Sequence, residues 1–300
     1  MSTVKSYAVG SGDMFYIRHN SDNFTIIDCD LTEDVNANEI IEDIKAAKAG
    51  KGIERFICTH PDEDHFGGLH LLDDAISIVN FYVVKNQAVK DVETESFQRY
   101  CKLRDSEKAF HIFKGCTRKW MNLEDEVRQS SGIHVLWPNP QNPFFQEALA
   151  ACDAGDSYNN TSVVIRYVIQ EGASFLWLGD LETQFMADIA DDIELPKTTI
   201  VFASHHGRSS GKIPNKWLEM LDPQIIVIGE APSRHLHYYT GYNTVTQNTA
   251  GDITMECDGN KVHFYAELGY SLDALTDEGK AHLPSCRYIG SLTVETEYTL

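Results

Sequence analysis

The chain is short of positive charge. Its 300 residues hold 25 Lys and Arg against 45 Asp and Glu, a formal net charge of −20. That deficit argues against a protein that holds nucleic acid along a general basic face. Long apolar runs are also missing. The longest, near 162–169 and 225–228, are short and rich in β-branched residues, which predicts strands and excludes a helical membrane span. The first residues have neither the basic region nor the apolar stretch of a secretory leader. The seven cysteines are odd in number and include no Cys-x-x-Cys, a pattern that fits reduced thiols better than a disulfide framework. Repeats, low-complexity segments and Pro- or Gly-rich linkers are absent. The expectation is one cytoplasmic domain over 1–300, with no membrane association and an oligomeric state left open.

What is present is a series of short strands with helices between them. Apolar runs at 7–9, 14–18 and 24–28 predict an N-terminal meander. Ile40, Ile41, Ile44 and Ala47 fall at helical spacing over 35–47, and Gly50 and Gly52 close that helix. Further strands are predicted at 55–59, 79–84, 133–137, 162–168, 175–179, 199–203 and 225–228. Helices are predicted at 68–75 and 182–189, and a hairpin at 252–257 and 261–266 around Asp-Gly-Asn. Residues 76–131 read as a helical insertion or lid, with an aromatic, Lys/Arg-rich helical segment at 98–113. Residues 265–300 read as a C-terminal extension. Strands in both halves with interspersed helices predict an α/β protein of two mixed sheets covered by helices.

Three strand ends carry chemistry. Residues 59–68 read Thr-His-Pro-Asp-Glu-Asp-His-Phe-Gly-Gly. Alternate side chains of an extended segment share a face, so His60, Asp62 and Asp64 converge there. His65 follows as the chain turns, and Gly67 and Gly68 let the backbone reverse. Imidazoles and carboxylates so grouped suit one or two divalent ions. Next, Gly179 and Asp180 end an apolar strand. Taken alone, Asp180 is an N-cap for the following helix; beside a metal it is a bridging carboxylate. The third end reads Ser204, His205, His206, Gly207, Arg208, Ser209. Adjacent histidines on a strand face opposite ways, so one meets a given metal and the other meets substrate or a proton.

In this order, the motifs resemble those of the metallo-β-lactamase superfamily. Its first metal motif, His-x-His-x-Asp-His before Gly-Gly, appears here as His60, Asp62, Asp64, His65, Gly67 and Gly68. Asp in place of the second His is the variant of the hydrolase domains of DNA-uptake competence proteins. Val-Gly-Ser-Gly-Asp-Met at 9–14 is similar to that branch's Val-Gly-Gln-Gly-Asp-Ala, and Thr-Ala-Gly-Asp-Ile at 249–253 to its late Thr-x-x-Gly-x-Ile strand.

The resemblance implies an αββα sandwich of two mixed sheets flanked by helices. It also implies one or two divalent ions, Zn or Mn. The first ion would take His60, Asp62 and bridging Asp180; the second would take Asp64, His65, Asp180 and His206. Asn159 and Asn160 stand where the third-motif His is usual, and His235 or His237 either replaces a missing His-Pro or lies at the surface. The implied reaction is hydrolysis by a metal-activated water, with Asp64 orienting the nucleophile and His205 protonating the leaving oxygen. Arg208, Ser209 and Asn160 would contact a phosphate-containing substrate. A phosphodiesterase or nuclease-like enzyme comes first, acting on a nucleotide or single-stranded nucleic acid. The alternatives are a carbonyl ester, thioester or lactone hydrolase, and a non-catalytic metal-binding partner.

Overall fold

A computed structural model describes residues 1–32 and 35–295. Strands β1 (Ser2–Ser6), β2 (Phe15–Arg18) and β3 (Asn23–Ile27) form the expected antiparallel meander. A two-residue strand, β4 (Cys29–Asp30), bridges to the backbone at Phe66 and Gly67. Helix α1 (Ala37–Lys48) is capped by Asn36, whose side chain accepts from the Glu39 amide. It leads into β5 (Ile53–Ile57), α2 (Glu63–Phe66), α3 (Leu69–Ile76), β6 (Phe81–Val83), α4 (Glu95–Arg104) and β7 (Ala109–His111). Here β3, β5, β6 and β7 run parallel.

The second sheet comprises β8 (Ile133–Trp137), β9 (Val164–Val168), β10 (Ser174–Trp177), β11 (Ile200–Phe202), β12 (Ile225–Ile228) and β13 (Thr244–Thr246). Helices α5 (Pro143–Ala154), α6 (Thr183–Asp188) and α7 (Asn215–Leu221) lie between its strands in sequence, and α8 (Gln247–Ala250) follows its last strand. The chain then returns to the first sheet with β14 (Ile253–Asp258), β15 (Lys261–Ala266) and β16 (Arg287–Thr293). The sheet orders are β16-β15-β14-β1-β2-β3-β5-β6-β7 and β13-β12-β11-β10-β9-β8.

The period of two in the strands sorts side chains into two cores. Ile27 and Ile57 face the space between the sheets, with Val135, Ile165 and Phe175 opposite. Their neighbours Ile26, Phe56 and Cys58 face outward, under Ile41 and Ile44 of α1, Leu72 of α3 and Phe97 and Tyr100 of α4. Phe15 couples the sheets: its ring centroid lies 4.9 Å from Phe202 and 6.0 Å from Trp177. Truncating such a buried aromatic to alanine costs about 3–5 kcal/mol.

Three sequence expectations change. The helix expected over 98–113 stops at Arg104, and its last part becomes β7 because the exposed edge of β6 offers a pairing partner. Residues 76–131 therefore contribute strand β6, the edge strand β7 and helix α4 rather than a mainly helical lid. Helix α5 went unread, although Asn142 caps it, Pro143 opens it and Gly155 closes it at φ +82°. The extension from 265 supplies β16, which pairs with β15 as an edge strand; its last residues, 296–300, lie outside the described residues. Among the described residues, no helix is long and apolar enough to cross a membrane. Five parallel strands, β3 and β5 in one sheet and β10, β11 and β12 in the other, send their C-terminal ends into the loops that carry the conspicuous residues. Such ends are where open α/β sheets place ligands.

Candidate metal centre

One imidazole is built from the first sheet. Asp28 follows β3 in the left-handed region at φ +56° and is buried. Its carboxylate accepts from the Thr59 amide (2.7 Å), the Thr59 hydroxyl (2.6 Å) and His65 Nδ1 (2.8 Å). With Nδ1–H given to Asp28, the lone pair of a neutral His65 sits on Nε2. That atom lies 3.1 Å from Asp180 Oδ1 and 3.9 Å from Asp64 Oδ1.

The second imidazole comes from the second sheet. His206 Nδ1 lies 3.1 Å from Asp13 Oδ1, and its Nε2 lies 3.4 Å from both Asp64 Oδ2 and Asp180 Oδ2. The turn that presents it is strained: His205 and His206 stand at φ +52° and +54° before Gly207 at +88°. A Cβ on Gly207 would lie 2.4 Å from Ile228 Cγ2. Asp13 is held by its own amide, which donates to the Asp64 carbonyl (3.1 Å). A Cβ at Gly12 would meet the Asp30 carboxylate at 2.2 Å, so only glycine lets that loop come so close.

Asp180 joins the two. Its amide donates to Ser162 Oγ (2.9 Å), and its carboxylate faces both imidazoles rather than capping α6. The start of α6 is held instead by Asn160, whose Oδ1 accepts from the Glu182 amide (3.0 Å) while its Nδ2 donates to Glu182 Oε2 (2.9 Å).

Burial alone disfavours every charge here. For His65 it is outweighed by Asp180 and Asp28, and for His206 by Asp180 and Asp13, so both rings sit well above the usual imidazole range. Burial of Asp180 is outweighed by His206 and His65, which hold its carboxyl far below the usual range; Asp64 is lowered likewise. His60 behaves oppositely: burial and the neighbouring His65 push it down to about 4.

These groups fit a divalent cation. His65 Nε2, His206 Nε2 and Asp180 Oδ1 are buried and have no hydrogen-bond partner among the described residues. They lie within 3.1–3.4 Å of opposite charges, yet are not aligned to bond to one another. Asp13, His65, Asp180 and His206 each bring a donor atom within 4.8 Å of the others. Two nitrogens and several carboxylate oxygens form a set for a divalent transition-metal ion. Because Asp13 accepts from His206 Nδ1, we read it as the carboxylate that orients the ring, with Asp64 facing the Nε2 side.

The remaining expected residues divide. His205 lies at the rim, its Nε2 3.5 Å from Asp180 Oδ2 and its Nδ1 2.9 Å from Ser210 Oγ. Burial lowers its pKa, helped by the nearby His206 and Arg208 and opposed by Asp180. Arg208 is half-buried and makes no ion pair among the described residues, and Ser209 is exposed. His60 is buried with its ring centroid 4.1 Å from His65, outside the converging set. Asp62 is not brought in: it caps α2 and accepts from Lys90 Nζ (2.9 Å). Asn160, expected to meet substrate, is committed to Glu182. His235 bonds Tyr238 (2.7 Å) and Arg234, and His237 is exposed. Sequence reasoning missed the roles of Asp13 and Asp28, although Asp13 stands in the motif at 9–14 that resembles the competence branch and Asp28 ends the strand predicted at 24–28.

Residues 7–140 match the family described as Metallo-beta-lactamase superfamily. That match covers a little under half of the chain, whose N-terminal part is similar to the metallo-β-lactamase superfamily. The chain is 22% identical over 193 residues to ComE operon protein 3 of Bacillus subtilis. The match covers 64% of the chain and 22% of that protein, so the chain spans less than a quarter of its relative's length. Among solved structures it is similar to Igni18, described as a novel metallo hydrolase from the archaeon Ignicoccus hospitalis. That similarity has 13% identity and a TM-score of 0.44, over 77% of this chain and 83% of the other. It is also similar to CmlA, described as a diiron β-hydroxylase from Streptomyces venezuelae. There the identity is 13% and the TM-score 0.42, over 76% of this chain and 44% of CmlA.

Proposed function

We propose that this chain is a metallo-β-lactamase superfamily enzyme, a metal-dependent phosphodiesterase acting on a nucleotide or single-stranded nucleic acid. The supporting observation is the convergence of His65, His206, Asp64 and Asp180 beside Arg208, a cation without an ion-pair partner among the described residues. A divalent cation held by those four residues, Zn or Mn, supplies Lewis acidity at a phosphoryl oxygen and makes water a nucleophile at neutral pH. Asp28 and Asp13 keep the two Nε2 atoms turned inward. Asp64 stays ionised and orients the attacking water by accepting its hydrogen bond. His205, steadied by Ser210, passes a proton to the leaving oxygen from the rim. Arg208 offers the paired donors that phosphate takes best, and Ser209 adds a hydroxyl. The net charge of −20 disfavours a long duplex and leaves a small or threaded substrate.

The test is turnover of bis-nitrophenyl phosphate with Mn²⁺ beside turnover of nitrophenyl acetate. Metal-dependent cleavage of the diester, lost in Asp64→Ala and Asp180→Ala, is expected. Preference for the acetate would replace the reading with a carbonyl ester hydrolase, and absence of metal-dependent phosphodiester turnover would sink it.

A further inference from the structure

The two halves of the metal-type cluster are unequal. On one side, His65, His206, Asp64 and Asp180 converge. On the other, His60 is buried and its Nε2 has no partner among the described residues, so it is an imidazole available to a second ion. A second ion there would need companions. The nearest carboxylate in the same run is Asp62, and its Oδ1 already accepts from the Glu63 amide and from Lys90 Nζ at 2.9 Å. The side chain of Lys90 is only 13% exposed. Its ammonium lies 4.1 Å from the Tyr158 ring centroid, 5.5 Å from Phe66 and 6.0 Å from Phe97. Three aromatic faces and a carboxylate make a built seat for one positive charge. Asn160, at the other strand end that could supply a donor, is clamped on Glu182. His60 and a shared Asp180 are then the protein donors left, fewer than the three that metal sites keep.

We propose that this chain holds a single divalent cation, and that the Lys90 ammonium stands in for a second one. The inference rests on the metal-hydrolase reading above. Lys90 neutralises Asp62, fills the space a second ion would share with it, and repels a further dication. It is supplied by the stretch before α4, so the 76–131 region sets the metal count of the site.

The experiment is titration of metal-stripped protein with Mn²⁺, and separately with Zn²⁺, by calorimetry, with metal content measured after dialysis. Wild type should take one equivalent. The double variant Lys90→Gln, Asp62→His should take two, and Lys90→Arg should stay at one. Lys90→Met with Asp62→His repeats the test with an apolar chain among the rings, and thermal melting confirms that each variant is folded. Two equivalents in wild type would overturn this inference and leave the proposed function standing. So would one equivalent in both folded double variants. No binding by wild type would overturn both.

Discussion

His65 and His206 are built alike and held differently. Each gives Nδ1 to a carboxylate and turns Nε2 toward Asp180. His65 sits on a foundation: Asp28 is 1% exposed and also ties down Thr59 through two bonds. His206 rests on a left-handed turn of the other sheet, and Asp13 is a partly exposed loop residue. One arm therefore carries both stability and orientation, whereas the other carries orientation almost alone.

The comparison can be broken experimentally. Asp180→Ala removes the group both arms face; metal binding should be lost and turnover should fall about 10³-fold or more, equivalent to some 4 kcal/mol of barrier. Asp28→Ala should cost about 3 kcal/mol in chemical denaturation, because it strands a buried imidazole and the Thr59 amide. The same change should weaken metal affinity about 10–100-fold. Gly207→Ala should cost about 1–3 kcal/mol, through φ +88° and the contact with Ile228. Asp13→Ala should weaken metal binding about tenfold while costing under about 1 kcal/mol of stability. Equal stability losses in Asp13→Ala and Asp28→Ala would end the distinction between the arms.

The smallest expected effect is in pH. In metal-free protein the raised pKa values of His65 and His206 contribute stability that is fully present below the unfolded value of 6.5. That contribution is lost as pH rises through the folded values. A cation replaces those protons, so the rise in Tm on adding Mn²⁺ should be larger at about pH 8 than at about pH 6. An equal rise at both would contradict the charge state assigned to the two rings.

Much of the fold was legible. The strands at 133–137 and 225–228 and the hairpin at 261–266 appear within a residue or two of their expected bounds, because β-branched runs between turns have few other uses. Residues 109–111 read as part of a helical stretch because an aromatic, Lys/Arg-rich composition says nothing about a vacant strand edge. Of the residues named from type and position after strands, Asp64, His65, Asp180 and His206 converge, His205 lies at the rim and His60 stays outside that set. The misplacements share one cause. Asp62 was assigned by the alternation of an extended segment, which turns helical at Glu63, and Asn160 by place in a motif, whereas Lys90 and Glu182, which hold them, come from other segments. Asp180 read alone was a helix cap; the structure gives that helix start to Asn160 and leaves the carboxylate free for the imidazoles.

By itself, the sequence determined the kinds of donor present and their positions at strand ends, since both follow from local spacing and side-chain periodicity. Which donors meet was decided only in three dimensions. His65 and His206 belong to different sheets, and Asp13 reaches His206 across 193 positions of chain. Such an encounter depends on how two sheets stack and where their parallel strands end, and no local pattern encodes it.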